Sequence, residues 1–125
     1  MEEGEVEYFF DSYAVIEILN RNPNYEFYRN KEITLTIYNL AEIYYSCIGN
    51  FNEEELNEIY SEYKEAVVDI SEDILKKAMK FRKEHKKKDF SYADAIGYIY
   101  AKQNNLKFLT GDNGFENLEN VDFVK

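Results

Sequence analysis

A chain of 125 residues with 45% hydrophobic and 17% aromatic content has the material for one packed domain over residues 1 to 125, which excludes a disordered chain or a linker-joined pair of domains. Its net charge of -10, from 25 acidic and 15 basic residues, opposes nonspecific attraction of the whole chain to nucleic acid. No apolar run approaches the roughly 18 residues of a membrane span, and the acidic start MEEGEVE is unlike the basic opening of a signal peptide, so a cytoplasmic protein without a membrane role is expected.

EVEYFF, residues 5 to 10, is rich in aromatics and stops at Asp11, as a buried strand does ahead of a helix start. SYAVIEILN then sets Ala14 with Ile18 and Val15 with Leu19 at helical spacing, and Asn22-Pro23 lies just beyond it. The stretch from Asn20 to Asn30 reads as a loop with room for a short helix. ITLT, residues 33 to 36, is β-branched and alternating, and predicts a second strand. It leads into NLAEIYYSCI, where Leu40, Ile43, Tyr44 and Cys47 share a helical face. Cys47, the single cysteine, is expected as a buried structural thiol in a reducing compartment.

Asn52 with Glu55 has the pattern of an N-cap and an acidic N3 residue, opening a helix on Leu56, Ile59, Tyr60 and Tyr63. AVVDI, residues 66 to 70, predicts a short strand, and Ser71 caps a helix on Ile74, Ala78 and Phe81. The run from 76 to 90, KKAMKFRKEHKKKDF, holds eight of the fifteen Lys and Arg residues against Glu84 and Asp89, so it carries +6 while the rest of the chain carries -16. Such a run is either a solvated helix end that favours cations or a phosphate-contacting patch. His85, alone among the lysines, is expected to be exposed. Ser91-Tyr92-Ala93-Asp94 fits a capping box with Asp in the place of Glu, opening a helix to about Gln103. KFLT, 107 to 110, and VDFV, 121 to 124, complete the strands. Strands alternating with helices imply an α/β fold with a mostly parallel sheet of four or five strands.

In a parallel sheet the strand ends and the following helix starts gather at one edge, where ligands bind. Asp11 follows the first strand and Asp112 follows KFLT, while Glu42 and Asp94 are expected in the first turns of their helices. Each has a plainer alternative: Asp11 as a helix cap, Glu42 as a solvent-facing residue, Asp94 as the partner of Ser91 in the box, Asp112 as a turn residue between Gly111 and Gly114. Asp94 is the most telling, because YADAIGYIYA carries no other charge and reads as an enclosed helix, where an unpaired carboxylate is costly. Two carboxylates about 4 Å apart repel by about 4 kcal/mol at an effective dielectric near 20, so converging acids need protons or a cation. Oxygen ligands without His or Cys suit Mg²⁺ or Mn²⁺, and such ions serve phosphodiester hydrolysis. The chain has no G-x-S-x-G elbow, no Walker loop and no G-x-G-x-x-G, which weakens the commonest alternative chemistries.

In order and spacing, "YFFDSYAVIEIL", "TIYNLAEIYYSCI" and "SYADAIGYIYAKQNNLKFLTGD" resemble the PIN-domain ribonucleases, and in size the VapC-type toxins of toxin-antitoxin pairs. The resemblance implies a three-layer PIN-like fold and an endoribonuclease in which Asp11, Glu42, Asp94 and Asp112 bind Mg²⁺ or Mn²⁺ and orient the attacking water. It further implies support by Ser12 and Thr110, an RNA substrate, a homodimer, and a small antitoxin partner. Lys86, Lys87 and Lys88 are the candidates for phosphate contacts. An inactive PIN-like module that only binds protein would be favoured had one of the four acids been replaced, and none is. A receiver-like signalling domain would use an Asp such as Asp69, but it also needs an acidic pair after the first strand, where this chain has Asp11-Ser12, and a Lys after the last strand, where only Lys125 remains.

Overall fold

The computed structural model describes residues 5–125. Strand β1 (Tyr8–Phe10) is followed by helix α1 (Ser12–Leu19), a 3-10 helix over Pro23–Tyr28, and helices α2 (Ile37–Cys47), α3 (Glu53–Lys64), α4 (Glu72–Glu84) and α5 (Tyr92–Gln103). Strand β2 (Lys107–Thr110), a 3-10 turn over Asn113–Phe115 and strand β3 (Val121–Phe123) close the chain. The strands are all parallel in the order β1-β2-β3, with Phe9 opposite Phe108 and Leu109 opposite Asp122.

Residues of a strand alternate between faces, and here each face has its own cover. Phe9 and Phe108 stack at 5.7 Å and turn toward α5, with α4 packed behind that helix. On the other face Tyr8 meets Tyr28 edge to face at 5.3 Å, and Tyr25, fully buried, fills the space beside it. The short helix expected between Asn20 and Asn30 is therefore what covers this side of the sheet. From Phe108 an aromatic ladder continues outward: Phe115 at 4.7 Å, Phe90 stacked on Phe115 at 4.2 Å, and Phe81 stacked on Phe90 at 5.6 Å. It ties β2, the turn after it, the start of α5 and the end of α4 into one core.

The α/β architecture with a parallel sheet follows the sequence expectation, but the sheet is narrower than four or five strands. Among the described residues the segments 33–36 and 66–70 meet only in a single parallel bridge, Leu35 to Val67. They stay in line with the sheet, since Phe10 N–H donates to Thr34 O at 2.9 Å. The ladder stops because its amides are drawn elsewhere. Thr36 N–H donates to Asn39 Oδ1 in the capping box of α2, and the amides of Ala66 and Val67 donate to Tyr63 O and Lys64 O at the end of α3. A helix cap and a strand ladder compete for the same backbone groups, and here the caps prevail.

His85 is another departure. It is half-buried, not exposed: its ring lies 4.4 Å from that of Phe81 and its Nδ1 lies 3.0 Å from Phe81 O at the end of α4. Cys47 is a buried free thiol, as its helical stripe implies. Gly111 and Gly114 flank the turn at Asp112, yet neither takes a positive φ. What they supply is space, because a Cβ on Gly114 would stand 2.7 Å from the Phe90 ring, and one on Gly111 would collide with the Tyr13 ring and Val124 O.

Candidate active site

The carboxyl ends of β1 and β2, with the starts of α1 and α5 and the second turn of α2, enclose a cleft of about 320 Å³. Asp11, Glu42, Asp94 and Asp112 all line it, together with Ser12, Tyr13, Gly111, Asn113 and Lys125. A groove of about 400 Å³ at the opposite, amino end of β1 also has acids in its lining, but Glu5, Glu7 and Glu32 there are exposed and accompanied by Lys31.

Asp11 is 2% exposed and is both cap and cleft residue. Its Oδ1 accepts from Ser12 N–H at 2.9 Å, and its Oδ2 accepts from the Thr110 hydroxyl at 2.7 Å. The same Thr110 oxygen accepts from Asp112 N–H at 3.1 Å, so one fully buried hydroxyl on β2 links the two aspartates. Asp112 in turn accepts from Gly114 N–H at 3.0 Å, which folds its carboxylate over the turn anchored by buried Phe115. Asp94 accepts from Ser91 N–H at 2.8 Å through Oδ2, completing the capping box of α5.

Glu42 is half-buried and not turned to solvent. Its Oε1 accepts from the Ser12 hydroxyl at 2.6 Å, and that hydroxyl accepts from Asn39 Nδ2 at 3.0 Å. Asn39 Oδ1 accepts from Thr36 N–H and from the Thr36 hydroxyl at 2.7 Å. A backbone N–H can only donate, so the orientation of the Asn39 amide is settled and its NH₂ must face Ser12. The single Ser12 proton is then left for Glu42. Sequence reasoning passed over Asn39, although it lies on the inner stripe of α2, four residues before Ile43 and three before Glu42.

Burial is the largest influence on both enclosed aspartates. It pushes Asp11 well above the ordinary carboxylate range, with Asp94 and then Glu42 adding repulsion and the Thr110 and Ser12 bonds opposing it. Asp94 is raised to about 6, again mainly by burial, with Asp112 and Glu42 adding to it and the Ser91 bonds working against it. Asp94 thus stands in the field of Asp11, Glu42 and Asp112, and Asp11 in that of Glu42 as well. They stand around the cleft without clenching: among the described residues no three Asp, Glu, His or Cys side chains close into a ligand cage. The donors are all hard oxygens and, among the described residues, Lys125 is the sole cation lining the cleft, so a divalent cation of the Mg²⁺ type fits the charge and the chemistry of the set.

Lys86, Lys87 and Lys88 do not line the cleft. They form an exposed 3-10 turn after α4, joined to the site through Asp89, left-handed at φ 55, and Phe90, whose ring underlies Gly114. Asp69 is exposed and apart from the cleft.

No curated protein sequence matches the chain. Among solved structures, a toxin-antitoxin complex from Klebsiella pneumoniae contains a chain that superposes with a TM-score of 0.72 at 17% identity, covering 93% of this chain and 96% of that one. That likeness is one of fold. The model of the PIN domain family matches residues 8–121, nearly the whole described chain and all four cleft carboxylates, and the chain therefore belongs to the PIN domain family.

Proposed function

We propose that the protein is a Mg²⁺- or Mn²⁺-dependent endoribonuclease acting as the toxin of a toxin-antitoxin pair. The observation that carries this reading is the arrival of Asp11, Glu42, Asp94 and Asp112 at one cleft in a chain whose family consists generally of nucleases. The cation, when bound, would polarise a phosphoryl oxygen and lower the pKa of a coordinated water. Mg²⁺ keeps several of its waters and takes only one or two carboxylates directly, which suits acids set around a cleft more than a closed cage. Asp11 and Asp94 are the inner candidates to hold it, with Glu42 and Asp112 on the flanks.

The chain's own part is orientation. Thr110 holds one Asp11 oxygen and Ser12 N–H the other. Ser12, aligned by Asn39, occupies one Glu42 oxygen and leaves the second free. Exposed Lys86, Lys87 and Lys88 would meet phosphates away from the scissile bond. An antitoxin partner is suggested by the Klebsiella complex, and exposed Ile37, Tyr38, Tyr45 and Ile48 on and beside α2 offer apolar surface to a second chain, whether antitoxin or another copy in a homodimer.

Purified protein incubated with labelled RNAs is expected to cleave them with Mg²⁺ or Mn²⁺. Asp11→Asn and Asp94→Asn are each expected to remove cleavage while leaving the circular-dichroism spectrum unchanged. Cleavage that survives both substitutions, or excess chelator, would show the metal-carboxylate mechanism to be wrong.

A further inference from the structure

Tyr92, the first residue of α5, is 60% exposed and lies two positions before Asp94. The Arg82 guanidinium stands over its ring at 4.5 Å, and that guanidinium is itself held, since Nε donates to Phe90 O at 2.7 Å. On its other side Arg82 lines a hollow with Lys83, Lys86, Asp89 and Phe90. The segment's first two cations, Lys76 and Lys77, pair with Glu72 and Asp73, whereas Lys80, Arg82, Lys83, Lys86, Lys87 and Lys88 form no ion pair among the described residues.

Singly exposed aromatics are ordinary on protein surfaces. This one differs in three respects: a restrained cation supports it, unpaired lysines share a hollow with that cation, and it sits on the turn of helix that carries a cleft carboxylate. We infer that Tyr92, backed by Arg82, is a stacking step for an unpaired base of the RNA. The inference rests on the ribonuclease reading. Phosphates would follow the Lys83 and Lys86 side, and the base next to the scissile link would lie on the ring. Paired bases are stacked within their own helix and present no face to a side chain, whereas single strands bind through exactly this combination of basic surface and aromatic platform. The unpaired cations grouped with Arg82 favour a phosphodiester strand over a protein segment as its occupant.

The test is fluorescence anisotropy of the full chain in Mg²⁺ with a phosphorothioate-linked, single-stranded RNA oligomer, an otherwise identical oligomer bearing abasic positions, and a duplex. Tyr92→Ala is expected to weaken binding of the single strand by about tenfold, Tyr92→Phe to stay within about twofold of the parent because the π-face is kept, and the abasic oligomer and duplex to bind parent and Tyr92→Ala alike. Equal binding of the single strand by parent and Tyr92→Ala overturns the stacking step, as does an equal loss on the abasic oligomer, which would make Tyr92 a backbone contact. If the parent cleaves RNA while Tyr92→Ala matches it in affinity and KM, the nuclease reading stands and the stacking step alone falls. If the parent neither binds nor cleaves, both fall, and an exposed Tyr92 belongs to a protein contact.

Discussion

The side chain that most constrains the cleft is not one of its acids. Asn39 is fully buried, and its amide joins the cap of α2 to the hydroxyl that steadies Glu42. Asn39→Ala would leave Thr36 N–H and the Thr36 hydroxyl without their acceptor inside the core. A loss of about 1–3 kcal/mol is expected for such orphaned groups, read as a lower urea midpoint. It should also slow cleavage, because Ser12 loses the donor that directs its proton to Glu42. If Asn39 acts on the rate through Ser12, the two substitutions are not additive: Asn39→Ala made in a Ser12→Ala background should cause no further drop in cleavage rate. Full additivity of the two rate effects would break the proposed chain at Ser12.

Among the elements, α5 decides how the sheet and the cleft are joined. Its start was legible in Ser91-Tyr92-Ala93-Asp94 and its enclosure in the uncharged run that follows, because both are local patterns; Ala93, Ala95, Ile96, Tyr98 and Ala101 are indeed buried. What was not legible depends on distant partners. ITLT has the composition of a strand, but Thr36 is claimed by the α2 cap and the ladder shrinks to one bridge. Glu42 looks solvent-facing by periodicity, and only the approach of Ser12 from thirty residues away turns it to the cleft. Gly97 stands between these cases: a residue without a side chain leaves room for a close approach, but the sequence does not say of what. The neighbour is Phe9, whose ring would lie 2.6 Å from a Cβ. That ring is fully buried, with Phe108 and Tyr100 rings at 5.7 and 5.9 Å, so it has little room to swing aside. Gly97→Ala gains up to about 1 kcal/mol in helix propensity, but overpacking of this kind costs about 1–3 kcal/mol. A net loss in chemical denaturation is expected, and cleavage should fall as α5 and Asp94 are lifted from the sheet. A stabilised Gly97→Ala protein would mean that the sheet can yield to α5.

For the whole molecule, charge and function pull in opposite directions. Excluding residues 76 to 90, the chain carries -16, and the cleft adds enclosed acids that repel one another. A strand of RNA is therefore attracted to the basic segment and repelled from most of the remaining surface, which favours approach along α4 toward the cleft. The same imbalance makes stability depend on pH and metal. Between the ordinary aspartate value of 3.8 and about 6, the folded chain holds a proton on Asp94 that the unfolded chain has released. Asp11, raised as well, acts in the same sense. Folding thus takes up protons in this window, and the stability of the metal-free protein rises as pH falls through it. Thermal melts in chelator are expected to show a higher Tm at about pH 5 than at about pH 7.5. A divalent cation needs the carboxylates ionised, so added Mn²⁺ should raise Tm more at the higher pH and reduce or reverse the difference between the two. A metal-free protein that melts higher at the neutral pH would show that burial and mutual repulsion do not hold the cleft aspartates above their ordinary range in the folded chain, and the electrostatic reason for a bound cation would be lost even if the family fold remained.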